Sequence, residues 1–259
     1  MAETAYPLGA LPAERPLAVP SRPSVRAPLL LAALCVLALA LVWGVAAHVQ
    51  DVRVADARLL HDFALIENAR INSAAQTLLS LLNAGQFVIW AFALVLFALA
   101  RERPRLALAI VFVVTLGPFT AELLKPLLAV AHVSIGEDRP IGAASWPSGH
   151  ATAATVLALS AVLVVPARWR SLALALAAAF LLAVGASLLI RAWHMPSDVL
   201  GGYLLGTFWT ALALAVVRAS ERRWPSRAAR RRAGDEAKPG AEDARAERVA
   251  PLRGRRAEA

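Results

Sequence analysis

The stretch SWPSGHATAATVLALSAVLVV, residues 145–165, runs from a polar corner into an unbroken apolar segment. After His150 it carries no ionisable side chain, and its Ala, Leu and Val content suits a buried helix. A helix crossing a hydrocarbon core of about 30 Å needs roughly 20 such residues. Residues 149–165 come close, and the helix is expected to begin a residue or two earlier, at Pro147 or Ser148. A membrane helix that starts on a polar corner sets the reading of everything around it.

Working outward, five further segments have the length and apolarity of spans: 29–49, 78–100, 106–131, 172–189 and 199–217. The expected fold is therefore all-α, a six-span transmembrane helical bundle. The first run is longer than a signal-peptide core and follows a long Pro-rich leader, so it reads as a retained anchor. The chain divides into a disordered, Pro-rich cytoplasmic leader (1–28), a membrane domain (29–217) and a disordered basic cytoplasmic tail (218–259). In the loop 50–77, Leu59, Phe63 and Ile66 recur at helical spacing, which fits either a lid on the membrane surface or a packing helix.

Composition agrees. The chain of 259 residues is 59% hydrophobic, with a net charge of +9 and a mean hydropathy of +0.59. So few charges with so strong a basic excess place the cations in loops and tails. A soluble nucleic-acid binder, the other reading of a basic chain, is excluded by the number and length of the apolar runs. The lone Cys35 lies within one of them, so neither a disulfide framework nor a cysteine metal site is expected. The preference for Arg over Lys, with abundant Ala, points to a bacterial chain.

Arginine sets the orientation. Arg15, Arg22, Arg26, Arg101, Arg103, Arg105, Arg168 and Arg170 lie in segments on one side, together with the basic tail from Arg218. Arg53, Arg58, Arg70, Arg139 and Arg191 lie on the other. Both termini are thus expected in the cytoplasm of a bacterial inner membrane. The Arg230, Arg231 and Arg232 cluster suits either a solvated, topology-setting tail or contact with anionic lipid headgroups.

Polar residues kept at membrane level need a reason. Lys125 lies 19 residues beyond Leu106, about 28 Å of helical rise, near the outer boundary. Ser148, Gly149 and His150 open the fourth span at that boundary, and His194 and Asp198 precede and open the sixth. A helix N-terminus attracts anions through its unpaired N–H groups, and Gly149 lets an oxygen approach the backbone. Lys125 and Arg139 add cations. His194 and Asp198, four apart, suit stacking on one helical turn, with the carboxylate fixing the imidazole tautomer and leaving the other nitrogen to attack. His150 can protonate a leaving oxygen. These groups compose a phosphotransferase site on the outer face. No compact His or carboxylate cluster with metal-ligand spacing stands beside them, so neither a metal nor another cofactor is expected.

These residues resemble the type 2 phosphatidic acid phosphatase family, whose superfamily also holds the vanadium haloperoxidases. Its Pro-Ser-Gly-His motif stands intact at Pro147, Ser148, Gly149 and His150, and its third motif matches at Ser187, His194 and Asp198. The resemblance spans about residues 75–217. It implies a metal-independent lipid phosphatase in which His194 attacks phosphorus, Asp198 orients it and His150 protonates the departing oxygen. Lys125, Arg139, Ser148 and Gly149 would hold the phosphate. The implied partner is a membrane lipid substrate, either a phospholipid or a polyprenyl (pyro)phosphate, with no nucleic acid. The chain departs from the pattern twice. Thirteen residues, not six, separate Lys125 from Arg139-Pro140, with His132 at the family's spacing; Arg139 is then a displaced counterpart or a plain loop charge. Leu188 stands where the family has Arg, and Arg191, one turn on, either replaces it or snorkels to headgroups. The alternatives are a non-catalytic chain that retains the fold and a vanadate-dependent haloperoxidase.

Overall fold

Runs of Leu, Ala and Val interrupted by Pro, Asn and short charged turns fold into helices wherever they are long enough. The computed structural model describes residues 24–133 and 141–225, and its elements are α1 (Arg26–His48), α2 (Gln50–Ala64), α3 (Ala69–Ser80), α4 (Ala84–Ala100), α5 (Pro104–Leu127), α6 (Gly149–Val164), α7 (Arg170–Ile190) and α8 (Pro196–Arg223). A 3-10 turn, Ala167–Trp169, leads into α7. No strand occurs among the described residues. The all-α expectation holds.

Among the described residues four helices, α1, α5, α7 and α8, are long and apolar enough to cross a membrane. The count rises to five if α3 and α4, bent by 53° at a short break, form one span. The apolar α6 is shorter, at 16 residues. Six spans are thus not established by length and apolarity. Large apolar side chains such as Leu37, Ile89, Phe92, Phe119 and Leu182 face outward, as lipid-contacting surfaces require. This is a multi-pass membrane protein.

Several expected boundaries shift. Helix α1 starts at Arg26, taking in Pro28 and the end of the supposed leader, and α8 continues to Arg223, six residues into the supposed tail. The remaining leader and tail, including Arg230–Arg232, lie outside the described residues. The apolar run 78–100 breaks at 81–83, where Ser80 Oγ bonds back to Thr77 O and α4 restarts after Asn83. The run 106–131 leaves the helix after Leu127, just past Pro126, whose ring nitrogen has no N–H to give to the ladder. In the loop 50–77, α2 buries Ala57 and Leu60, whereas Leu59 and Ile66 are exposed.

Helix α6 is the centre of the bundle, with eleven of its residues buried, and it packs against α4, α5, α7 and α8. Helix α8 comes closest. A Cβ on Gly202 would fall 2.6 Å from Ser148 O and 2.7 Å from Ala151 Cβ, so only a bare Cα permits this approach. The end of α5 and the starts of α6 and α8 meet at one end of the bundle, where Trp43 Nε1 donates to Leu128 O and Ser148 N–H to Asp198 O. The Arg-rich turns meet at the other end, where Arg103 caps Leu163 O and Arg105 caps Trp224 O.

Candidate active site

The site is built on the first turn of α6. Ser148 is the N-cap: its Oγ accepts from Ala151 N–H at 3.3 Å, its carbonyl accepts from Thr152 Oγ1 at 2.8 Å, and its own N–H donates to Asp198 O at 2.9 Å. Ser148 is therefore wholly buried. Its hydroxyl oxygen accepts at the cap, which leaves the hydroxyl proton as a donor beside the open N–H groups of Gly149 and His150.

Lys125, in the last turn of α5, stands over that opening. Its Nζ lies 3.8 Å from where a Gly149 Cβ would be, and Glu122 Oε1 lies 2.9 Å from the same point. Lys125 and Glu122 pair at 2.6 Å. A side chain at position 149 would displace this pair, so the glycine keeps the mouth of the turn open. His150 has Lys125, Glu122 and His194 as its ionisable neighbours, and its ring packs 5.6 Å from Trp193.

His194 approaches from the α7–α8 corner. Ala192, at φ 49°, turns the chain, and α8 does not begin until Pro196. The expectation of one shared helical turn is corrected: His194 precedes the helix. The pair still forms, because Asp198 reaches back. Its Oδ2 accepts from Met195 N–H at 3.0 Å and lies 3.3 Å from His194 Nδ1. A proton held on Nδ1 by this carboxylate leaves the Nε2 lone pair free. Asp198 is fully buried, and its Oδ1 has no partner among the described residues.

Leu188 is also fully buried, in the apolar core with Ala151, Ala154 and Leu157, so nothing at that position faces the site. Arg191 caps α7 and is half-buried rather than extended to the surface. It donates to Asn72 Oδ1 on α3 and lies over the Trp193 ring at 5.5 Å. Arg191, Trp193 and His150 thus form a row ending at the site. Ser187, the third-motif serine, bonds back to Ala183 O. Arg139 lies outside the described residues.

Two neighbours had no signal in the sequence. Asn72 orients Arg191. Asp56 of α2 accepts from Ser197 N–H at 3.0 Å and from Ser197 Oγ–H at 2.6 Å. Burial pushes the Asp56 carboxyl above its ordinary value and nearby Asp198 adds to this, against the two Ser197 hydrogen bonds and His132. His132 Nε2 lies 2.8 Å from Ser145 Oγ, on the α2 side of Asp198. A cavity of about 20 Å³ there is lined by Arg53, Asp56, His132, Trp146 and Asp198, among others. Among the described residues no group of three or more His, Cys, Asp or Glu is placed to hold a metal ion.

Residues 106–222 match the model of the PAP2 superfamily. A solved structure, that of a transmembrane PAP2-type phosphatidylglycerolphosphate phosphatase from Bacillus subtilis, has the same fold. It is 20% identical with a TM-score of 0.60, covering 76% of this chain and 98% of the other. A search of curated proteins finds no match. Superfamily and fold together support a membrane phosphatase of the PAP2 kind.

Proposed function

We propose that this protein is an integral membrane lipid phosphatase that cleaves a phosphomonoester or pyrophosphate from a phospholipid or polyprenyl carrier at the outer face of a bacterial inner membrane. The observation that carries the reading is the His194–Asp198 pair, with Nε2 left free, beside the open first turn of α6 under Lys125. His194 Nε2 attacks phosphorus while the bond to the lipid oxygen breaks. The departing oxygen takes its electron pair and a proton from His150. Water, losing a proton to His150, then displaces His194 and releases phosphate. The N–H groups of Gly149 and His150, with Lys125, bind the equatorial oxygens. Arg191 supplies the guanidinium missing at Leu188, and Arg139 is a further phosphate ligand.

On this reading α6 and the α3–α4 unit complete a bundle of six spans. The site then lies at headgroup level, which favours a lipid over a soluble ester. The buried Leu188 in place of an arginine favours a second reading, a chain that keeps the fold without the activity. Phosphate release by the purified protein separates the two. Phosphatidylglycerolphosphate, phosphatidic acid and a polyprenyl pyrophosphate are the substrates to assay, with vanadate as inhibitor. Turnover that vanadate blocks and EDTA leaves intact is expected. Absence of release from every one of these lipids would sink the phosphatase reading.

A further inference from the structure

The N-terminus of a helix presents N–H groups without intrahelical partners, and a carboxylate is a favourable cap for them. In α8 that carboxylate comes from a helix 141 residues away in sequence. The second residue of α8, Ser197, gives both its N–H and its Oγ–H to Asp56 of α2, while the next residue, Asp198, holds His194. We infer that Asp56 is a positioning residue, a clamp from α2 that fixes the first turn of α8 and, through it, the geometry of His194 and Asp198. This deepens the phosphatase reading and rests on it.

Three features support the clamp. The N–H groups of Asp198 and Val199 turn back to Met195 O and that of Met195 goes to Asp198 Oδ2, whereas the N–H of Ser197 takes its acceptor from Asp56 on another helix. Helix α2 is itself anchored beside the site, since Arg53 Nη2 donates to Ala131 O at 2.6 Å, just past the end of α5. The His194–Asp198 contact, at 3.3 Å, is at the long end of hydrogen bonding, so a small shift of the turn breaks it.

Asp56 faces Arg53 on its own helix, His132 on the segment after α5, and Asp198 on α8. Burial raises its pKa, yet the clamp does not require a charge. A protonated Asp56, or an Asn in its place, still accepts from Ser197 N–H with one oxygen and donates to Ser197 Oγ with the other group. This separates a hydrogen-bond clamp from an electrostatic effect on Asp198.

The experiment uses the full-length protein in detergent or nanodiscs and follows two readouts. Amide exchange over residues 193–203 should rise at least about tenfold in Asp56→Ala and return to near parental in Asp56→Asn, with the rest of α8 unchanged. With a lipid phosphate substrate, kcat should fall about ten- to a hundredfold in Asp56→Ala with KM nearly constant, and Asn should restore it. Ser197→Ala, which keeps the N–H bond, should give a smaller shift of the same kind, and it provides the comparison should Asp56→Ala not fold. Unchanged exchange in both Asp56→Ala and Ser197→Ala, loosened exchange at full kcat, or an Asp56→Asn variant no better than Asp56→Ala would each overturn the inference. A parent protein that releases no phosphate would remove the phosphatase reading alone, since the exchange comparison would still decide the clamp.

Discussion

At His194 one ring nitrogen is occupied and the other is not, and that asymmetry orders the expected variant effects. His194→Ala should abolish turnover by removing the nucleophile. His150→Ala should cost about 10³-fold or more, because the lipid oxygen then departs unprotonated. Asp198→Asn should cost less than His194→Ala, since the imidazole survives, but its amide no longer holds the proton on Nδ1. Arg191→Ala should lower kcat at least about a hundredfold if its guanidinium meets the phosphate in the transition state. Steady-state phosphate release orders all four. An active His194→Ala protein would refute the covalent mechanism. At Asp56 the prediction concerns stability. The folded chain keeps this carboxyl protonated above its ordinary value of 3.8, so it binds more protons than the unfolded chain in that window. The resulting stability is complete below the ordinary value and is lost as pH rises through the raised one. Thermal melts of parent and Asp56→Asn should therefore coincide in acid and separate towards neutral pH, with the Asn variant the more stable.

At the scale of elements the site depends on how closely α6 and α8 approach. Gly202→Ala places a methyl 2.6 Å from Ser148 O, against backbone that cannot swing away. It should lower the melting temperature and activity together, with more damage than Gly44→Ala, where a Cβ meets nothing within 4 Å. Equal effects at both positions would refute the close-packing account. This dependence also marks what could be read in the sequence. Pro147-Ser148-Gly149-His150 was legible because a cap, a bare Cα and an imidazole in succession declare a polar helix start, and Ser148 does cap α6. The His194–Asp198 pair was legible from its spacing, though for the wrong reason: the carboxylate reaches out of the helix instead of stacking along it. Asp56, Asn72 and the break at 81–83 were not legible. The first two act only through partners 141 and 119 residues away, and apolar residues continue on both sides of the break, so hydropathy does not register it.

At the scale of the molecule the two ends of the bundle differ in charge, and this predicts which side each faces. With Cys35 replaced, a cysteine at position 136 should react in intact cells with a thiol reagent that cannot cross the membrane, and one at position 234 should not. The opposite pattern would invert the topology and move the site to the cytoplasm.

Helix α6 has a consequence for the bilayer itself. Its 16 residues rise roughly 24 Å, against a hydrocarbon core of about 30 Å. On the six-span reading, a helix this short, ringed by α4, α5, α7 and α8, leaves one of its ends below the headgroup plane. The end at stake carries Gly149 and His150. Membrane thickness would then set how far a phosphate must be drawn downward before His194 can meet it, and the bilayer would act as a regulator. Reconstituted in vesicles of increasing acyl-chain length, the protein should lose kcat/KM as the membrane thickens, at constant headgroup and surface charge. A flat profile would mean that the lipid, and not the protein, makes up the missing length.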